Sequence, residues 1–351
     1  MWPTSPKASS WKTPERTTAM MILVVVIVLL ALLFDFINGM NDAANSVATI
    51  VSTRVLSPRQ AVLWAAFFNF VAAFLFGVHV ANTMGKGIID TRVVSAPMIL
   101  ATLLGAIVWS FLCTHAGLPI SVSHALVGGL VGSALAKSGI KSLIVSGLLK
   151  ISLFIVLAPL IGLVLGYIIM IAVMWICRKC SPQTIDHWFR RLQLVSAALY
   201  SIGHGTNDAQ KTMGIIAMLL FSTGYLGSTF YVPIWVILSC HLAIALGTLS
   251  GGWKVIETLG MKMTKLKPVH GFSAETAAAG SILMSSLLGI PVSTTHTITG
   301  AIIGVGATSR LSAIRWGLAY RIVWAWILTI PGSALVSALC WYGISLLRLP
   351  G

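Results

Sequence analysis

Two acidic residues lie inside long apolar stretches, each beside carboxamides and glycines. Asp42 follows Asn38, Gly39 and Asn41 and precedes Asn45; Asp208 follows Gly203, Gly205 and Asn207 and precedes Gln210 and Lys211. An aspartate near a bilayer centre costs about 2.5 to 3.5 kcal/mol on insertion scales, so an intramembrane acid is a functional candidate by default. Carboxylate and amide oxygens are the ligands a hard cation takes, and glycine permits the unwinding that exposes backbone carbonyls beside them. Two structural alternatives compete with this: helix-to-helix hydrogen bonding by buried polar groups, and a local Asp208–Lys211 pair at i, i+3. One copy would not separate these readings. Two copies at matched positions favour a coupling-ion site that draws on Asp42, Asn45, Asp208 and Gln210.

A second pair of elements suits an anion. Pro119 and Pro291 are each followed by hydroxyls: Ser121 and Ser123 in one case, Ser293, Thr294 and Thr295 in the other. Proline at a first helical position forgoes an N–H that would be unsatisfied anyway, so both prolines are expected to begin half-helices within the membrane. Such an N-terminus offers unpaired N–H groups and the positive end of a dipole. Two of them facing one another would make an anion cradle from Ser121, Ser123, Ser293, Thr294 and Thr295, with Asn41 and Asn207 alongside. The competing reading has these hydroxyls bonding back to the i−4 carbonyl.

Other groups are less decisive. His124 and His296 end the two tips and, with Lys211, are candidate proton or anion contacts; either histidine could titrate near neutral pH or simply donate to a carbonyl. Glu275 is a coupling candidate or an acid favoured at a helix start by the dipole. Asp35 could face the same cavity as Asp42, but Ser201 stands at its shifted position. His79, His115 and His241 read as packing or interfacial residues. Cys177 and Cys180 form a lone C-x-x-C at a helix end, with no second pair to complete a zinc site, so no metal or organic cofactor is expected.

The elements that must position these groups are membrane helices. The 351 residues are 57% hydrophobic and only 9% charged, against about 25% charged in soluble domains. Apolar runs near the roughly 20 residues that cross a bilayer recur along the chain, at Met20–Phe36, Ile144–Ile176 and Gly317–Leu347 among others. The first leads straight into the Asn-Asp element instead of a cleavage site and reads as a retained helix. The net charge of +15 would suggest nucleic acid in a soluble protein. Here the basic residues sit mainly in the tail (Lys7, Lys12, Arg16), a central connector (Arg178, Lys179, Arg190, Arg191) and a later loop (Lys254, Lys262, Lys265, Lys267), where they set topology.

The chain also repeats itself. The segment from Leu118 to His124 reappears from Ile290 to His296, and the same shift of 172 positions carries Gly128 onto Gly300, Gly132 onto Gly304 and Pro159 onto Pro331. The Asn-Asp element recurs after 166 positions, and Lys86-Gly87-Ile88 recurs as Lys254-Val255-Ile256 after 168. These matches divide the chain into a basic tail (1–19), a first transmembrane repeat (20–174), a connector (175–191) and a second repeat (192–351). The expected fold is all-α and polytopic, with about ten to twelve helices and no strands. The glycines after each tip have the small-x-x-x-small spacing of close helix packing. Charge alone leaves open whether the halves are parallel or inverted.

Gly39-Met40-Asn41-Asp42-Ala43-Ala44-Asn45-Ser46 resembles the first signature of the inorganic phosphate transporter (PiT) family, and His204-Gly205-Thr206-Asn207-Asp208-Ala209-Gln210-Lys211 its second, in the bacterial form. The two P-x-S-x-[ST]-H tips match as well. The resemblance implies inverted-topology repeats with re-entrant half-helix hairpins, phosphate between the tips, and coupling cations near the two Asn-Asp elements. Glu275 matches an acid that matters in sodium-coupled animal members. Where those members have another glutamate this chain has Asn69, and Val122 replaces a frequent hydroxyl; losing one acid favours proton over sodium coupling.

The expectation is therefore a secondary active transporter in a cell membrane, taking inorganic phosphate and a coupling cation (H+ or Na+) in the lipid bilayer, with no nucleic-acid partner and with room for a homodimer. Sulfate or another oxyanion is the nearest rival substrate. A membrane-embedded enzyme lacks a metal cluster or activated nucleophile motif, and a passive channel fits poorly with paired broken helices.

Overall fold

The computed structural model describes residues 14–118, 120–256, 266–309, 315–347 and 349. Within them run α1 (Pro14–Ser52), α2 (Pro58–Val71), α3 (His79–Lys86), α4 (Ala96–His115), α5 (Val122–Ser138) and α6 (Val145–Ile176). After a turn follow α7 (Pro182–Ser222), α8 (Ile234–Ser250), α9 (Pro268–Leu287), α10 (Thr294–Ala307) and α11 (Trp316–Leu346). No strand occurs among the described residues, only an isolated bridge between Ile89 and Leu143. The chain is all-α, as its composition requires. Pro119, the tail lysines Lys7 and Lys12, and loop residues Lys262 and Lys265 lie outside the described residues.

Helices α1, α4, α6 and α11 are long and apolar enough to cross a membrane, and α2 with α3 forms an apolar pair bent by 81°, a broken span or a re-entrant loop. Burial is the reverse of a soluble domain's. Leu149, Leu153, Val156 and Leu160 of α6 and Leu328, Leu335 and Leu339 of α11 are exposed, while Asp35, Asn41, Asp42, Asn207, Asp208, Lys211 and Glu275 are buried. A bilayer supplies the missing cover for the first group and the reason to enclose the second. The protein is an integral membrane protein.

The two repeats interlock. Helix α5 packs on α11, and α10 packs on α6, so each tip helix rests against the closing helix of the other half. Glycines make the approach close enough: a Cβ on Gly300 or Gly304 would overlap the carbonyls of Pro159 and Leu163, and one on Gly128 or Gly132 would overlap Ser333 and Ala334. The small-residue spacing after each tip is therefore a packing device.

Helices α1 and α7 carry the two Asn-Asp elements and run in opposite directions along one seam. Going up α1, Asp35 meets Thr212, Asp42 meets His204, and Thr53 meets Gln193. Numbers that rise on one helix and fall on the other define antiparallel neighbours.

Candidate functional site where two helix tips meet

The hairpins α4–α5 and α9–α10 build matching tips. Helix α4 ends on Gly117 (φ 68°) and α9 on Gly289 (φ 65°), a left-handed conformation that only glycine adopts without strain. Each stop is a Schellman motif: Leu118 N–H reaches the Cys113 carbonyl at 3.0 Å, and Ile290 N–H reaches Ser285 at 2.8 Å. A few residues later, Ser121 and Ser293 cap the next helices by accepting from the N–H of His124 and His296, both at 3.2 Å. This corrects the expected start of the tip helices. Ser293, not Pro291, stands at the cap, and Pro291 lies in the extended segment two residues before it.

The asparagines of the Asn-Asp elements fasten those extended segments. Asn41 Nδ2 donates to the Ile120 carbonyl at 3.5 Å, and its Oδ1 accepts from Thr114 of α4 at 3.0 Å. Asn207 Nδ2 donates to Ser286 of α9 at 2.8 Å and to the Ile290 carbonyl at 3.3 Å, while its Oδ1 accepts from Val292 N–H at 3.2 Å. Thr114 and Ser286 are themselves repeat mates, 172 positions apart. Asn41 and Asn207 thus position the tips with amide groups already engaged.

The aspartates converge at the centre. Thr294 Oγ1 lies 3.4 Å from Asp42 Oδ2 and 3.1 Å from Asp208 Oδ2, and Thr295 Oγ1 lies 3.4 Å from Asp42 Oδ1 and 3.1 Å from the Ile120 carbonyl. Asn45 Nδ2 donates to Thr295 Oγ1 at 2.8 Å. Lys211 Nζ pairs with Asp208 and donates to Ser123 Oγ at 2.5 Å and to the Val292 carbonyl at 2.7 Å, joining both tips to one acid. Ser123, Thr294 and Thr295 turn toward other helices here instead of back-bonding.

His204, unassigned in the sequence reading, completes the centre. Its Nε2 stands 3.4 Å from Asp208 Oδ2 and 3.8 Å from Asp42 Oδ2. Its Nδ1 meets Asn69 Oδ1 at 3.1 Å, and Asn69 Nδ2 donates to Thr248 at 2.9 Å. With its amide spent as a donor, Asn69 must accept, so Nδ1 carries a hydrogen and Nε2 faces the two acids. Asp42, His204 and Asp208 offer ligand atoms within 4.8 Å of one another. Two carboxylates that close cannot both stay charged without a proton or cation between them. His204 lies four residues before Asp208, and that one-turn spacing was the available signal. Its contact with Asp42 spans the two halves.

Four other candidates sit elsewhere. Gln210 caps the start of α3: its Oε1 accepts from Val80 and Ala81 N–H at 2.9 and 3.2 Å, and its Nε2 donates to the Gly77 carbonyl at 2.8 Å. Glu275 is buried in the second turn of α9, not at the helix start. It accepts from Thr49 at 2.5 Å, Gln193 at 3.0 Å and Ser196 at 2.5 Å, in a cluster of its own. His124 and His296 stack edge to face at 4.6 Å behind the tips, and His296 lies flat on Trp326 at 3.7 Å. Thr49, Gln193 and Ser196 carried no signal in the sequence.

Comparison with known proteins agrees with this architecture. The chain is 59% identical over 317 residues to a probable low-affinity inorganic phosphate transporter of Rhizobium meliloti (strain 1021), covering 90% of this chain and 95% of that one. It is 42% identical over 330 residues to one of Bacillus subtilis (strain 168), covering 93% and 99%. A solved structure described as the sodium-dependent phosphate transporter superposes with a TM-score of 0.84 at 28% identity, covering 93% of this chain and all of that one. Residues 38–337 match the phosphate transporter family. Its relatives are transporters and not enzymes, and the chain belongs to the phosphate transporter family.

Proposed function

We propose that this protein imports inorganic phosphate by cation-coupled symport through alternating access, with the proton as the favoured coupling ion. The observation that carries the reading is the contact of tip hydroxyls with both acids: Thr294 Oγ1 lies within 3.4 Å of Asp42 and Asp208 together. Phosphate at the tip N-termini would find N–H groups with no intrahelical acceptor at Val122, Ser123, Thr294 and Thr295, and the Lys211 ammonium beside Ser123. Two charged aspartates at the same place would repel it. A cation or proton shared by Asp42, His204 and Asp208 removes that repulsion, which makes anion binding conditional on the coupling ion. The antiparallel α1–α7 seam and the exchanged packing of tip and closing helices support two repeats of inverted topology, the geometry in which one set of contacts can open to either side.

Asn69 favours the proton. It places an uncharged group against His204 and leaves titratable groups as the charge carriers of the centre. Sodium is the second reading, supported by the oxygen donors of Asp42, Asn45, Thr294 and Thr295 and by the sodium dependence in the name of the structural neighbour. Phosphate is preferred over sulfate because it still bears a proton at neutral pH that it can donate to a carboxylate. The bacterial relatives support placement in the inner cell membrane. Uptake of labelled phosphate into proteoliposomes under imposed proton or sodium gradients, with excess sulfate as competitor, tests the reading. Accumulation only with a proton gradient, insensitive to sulfate, is the expected result; uptake that ignores both gradients sinks it.

A further inference from the structure

Asp35 is a buried carboxyl group that the centre described above leaves out. It lies seven residues before Asp42 on α1, so the two share a helix face about 10 Å apart along the axis. Thr49, which donates to Glu275, lies seven residues after Asp42 on that face. The α1–α7 seam therefore lines up three acid stations: Asp35 with Thr212, then Asp42 with His204 and Asp208, then Glu275 with Thr49, Gln193 and Ser196.

Asp35 hydrogen-bonds to no charged side chain among the described residues. It is 0% exposed. Oδ1 accepts from Thr212 Oγ1 at 3.0 Å, and Oδ2 has no hydrogen-bond partner among the described residues. Asn38, one turn further along α1, is also buried with its Oδ1 unpartnered. The Cys240 thiol of α8 lies beside the carboxyl group, and the titratable groups that face it across the seam are Asp208 and His204 of α7. With Thr212, the Asn38 amide and the Cys240 thiol beside it and no cation in hydrogen-bond reach, a charged carboxylate here is costly inside a membrane. A metal ion asks for about six oxygens, and the cluster leaves two open, Asp35 Oδ2 and Asn38 Oδ1. A proton on Oδ2 needs one place only, and it supplies a donor one turn from an acceptor that lacks one.

We infer that Asp35 is a proton-holding station on the coupling path, on the opposite side of the Asp42–His204–Asp208 centre from Glu275. It exchanges its proton with that centre as the transport cycle turns. The inference rests on the proton-coupled reading above. In the exchange the O–H bond at Asp35 Oδ2 breaks, water admitted when the seam opens carries the proton, and an O–H bond forms on Asp42 or Asp208. No other bond changes.

Wild-type protein and Asp35→Asn in proteoliposomes, compared for phosphate uptake driven by a proton gradient and for phosphate exchange at equilibrium, test this directly. Exchange needs no net proton release. Asp35→Asn is expected to lose at least about tenfold in driven uptake and to keep exchange within about twofold, with part of the driven uptake restored in Asp35→Glu. The infrared spectrum of the purified protein should lose a neutral carboxyl C=O band in Asp35→Asn. Driven uptake at the wild-type rate with an unchanged pH profile overturns the inference. So does loss of both uptake and exchange in Asp35→Asn and Asp35→Glu alike, which assigns Asp35 to the fold. Wild-type uptake indifferent to the proton gradient refutes the coupling reading. The band separates the two failures: present in wild type and absent in the variant it supports a proton on Asp35, and missing from wild type it overturns that.

Discussion

The acids at the centre are held by what surrounds them, and the surroundings set what each substitution should do. Asp42→Asn and Asp208→Asn each remove a charge with little change of shape and should lose gradient-driven uptake by at least about tenfold, Asp208→Asn with the added cost of stranding buried Lys211; concentrative uptake at the normal rate by both would refute their role. Lys211 tests the buried pair. Its removal strands Asp208, 0% exposed, and breaking one side of a buried ion pair costs about 3 to 5 kcal/mol. Lys211→Met should therefore lower the unfolding temperature of the purified protein sharply. The double variant with Asp208→Asn should recover most of that loss, because no unpaired charge remains; equal instability of single and double variants would show that Lys211 acts by packing instead. Glu275→Gln belongs to a separate cluster and should weaken driven uptake while leaving phosphate affinity near wild type, read by exchange kinetics at graded phosphate. How much of this was legible varies by residue. Asp42 and Asp208 stand out in the sequence because acids are rare in apolar helices. Glu275 stands out too, but its partners Thr49, Gln193 and Ser196 come from two other helices, and nothing local marks them. Gln210 shows the opposite failure: its neighbour Asp208 suggests a shared site, yet one side of α7 faces α3 and the amide follows it there.

At the level of elements, repetition told more than periodicity. The equivalences Gly117–Gly289, Ser121–Ser293 and Thr114–Ser286 recover one device twice: a helix stopped by a left-handed glycine, an extended segment clamped by an asparagine, and a new helix capped by serine. Proline drew attention to the right segment and to the wrong residue, because its fixed φ also suits the extended chain before a cap. What the sequence could not show is that each tip helix rests on the other half, since a glycine stripe names no partner. The packing makes a direct prediction. A side chain on Gly300 collides with the Pro159 carbonyl, a backbone atom that cannot turn away. Gly300→Ala should cost about 1 to 3 kcal/mol as an overpacked contact and reduce uptake along with stability. Gly280→Ala on α9, where an added Cβ meets nothing within 4 Å, is the control expected to leave both unchanged.

For the whole molecule, the antiparallel course of α1 and α7 supports halves of inverted topology. The two helices carry equivalent elements, their acids touch one tip, and their ends point opposite ways: α1 runs into the turn at Arg54 and α7 into the turn at Thr223. If both cross the bilayer, those turns lie on opposite sides of it. Charge could not have decided this, because basic residues occupy loops of both halves. A test needs only two positions. With the five native cysteines replaced, single cysteines at Arg54 and Thr223 should react with a membrane-impermeant maleimide from opposite faces, one in right-side-out vesicles and the other in inverted vesicles. Labelling of both from the same face would contradict inverted repeats and with them the alternating use of one central site. Labelling from opposite faces would give the proposed proton path its ends as well, since Asp35 and Glu275 lie toward opposite ends of the same seam, with Asp42 and Asp208 between them.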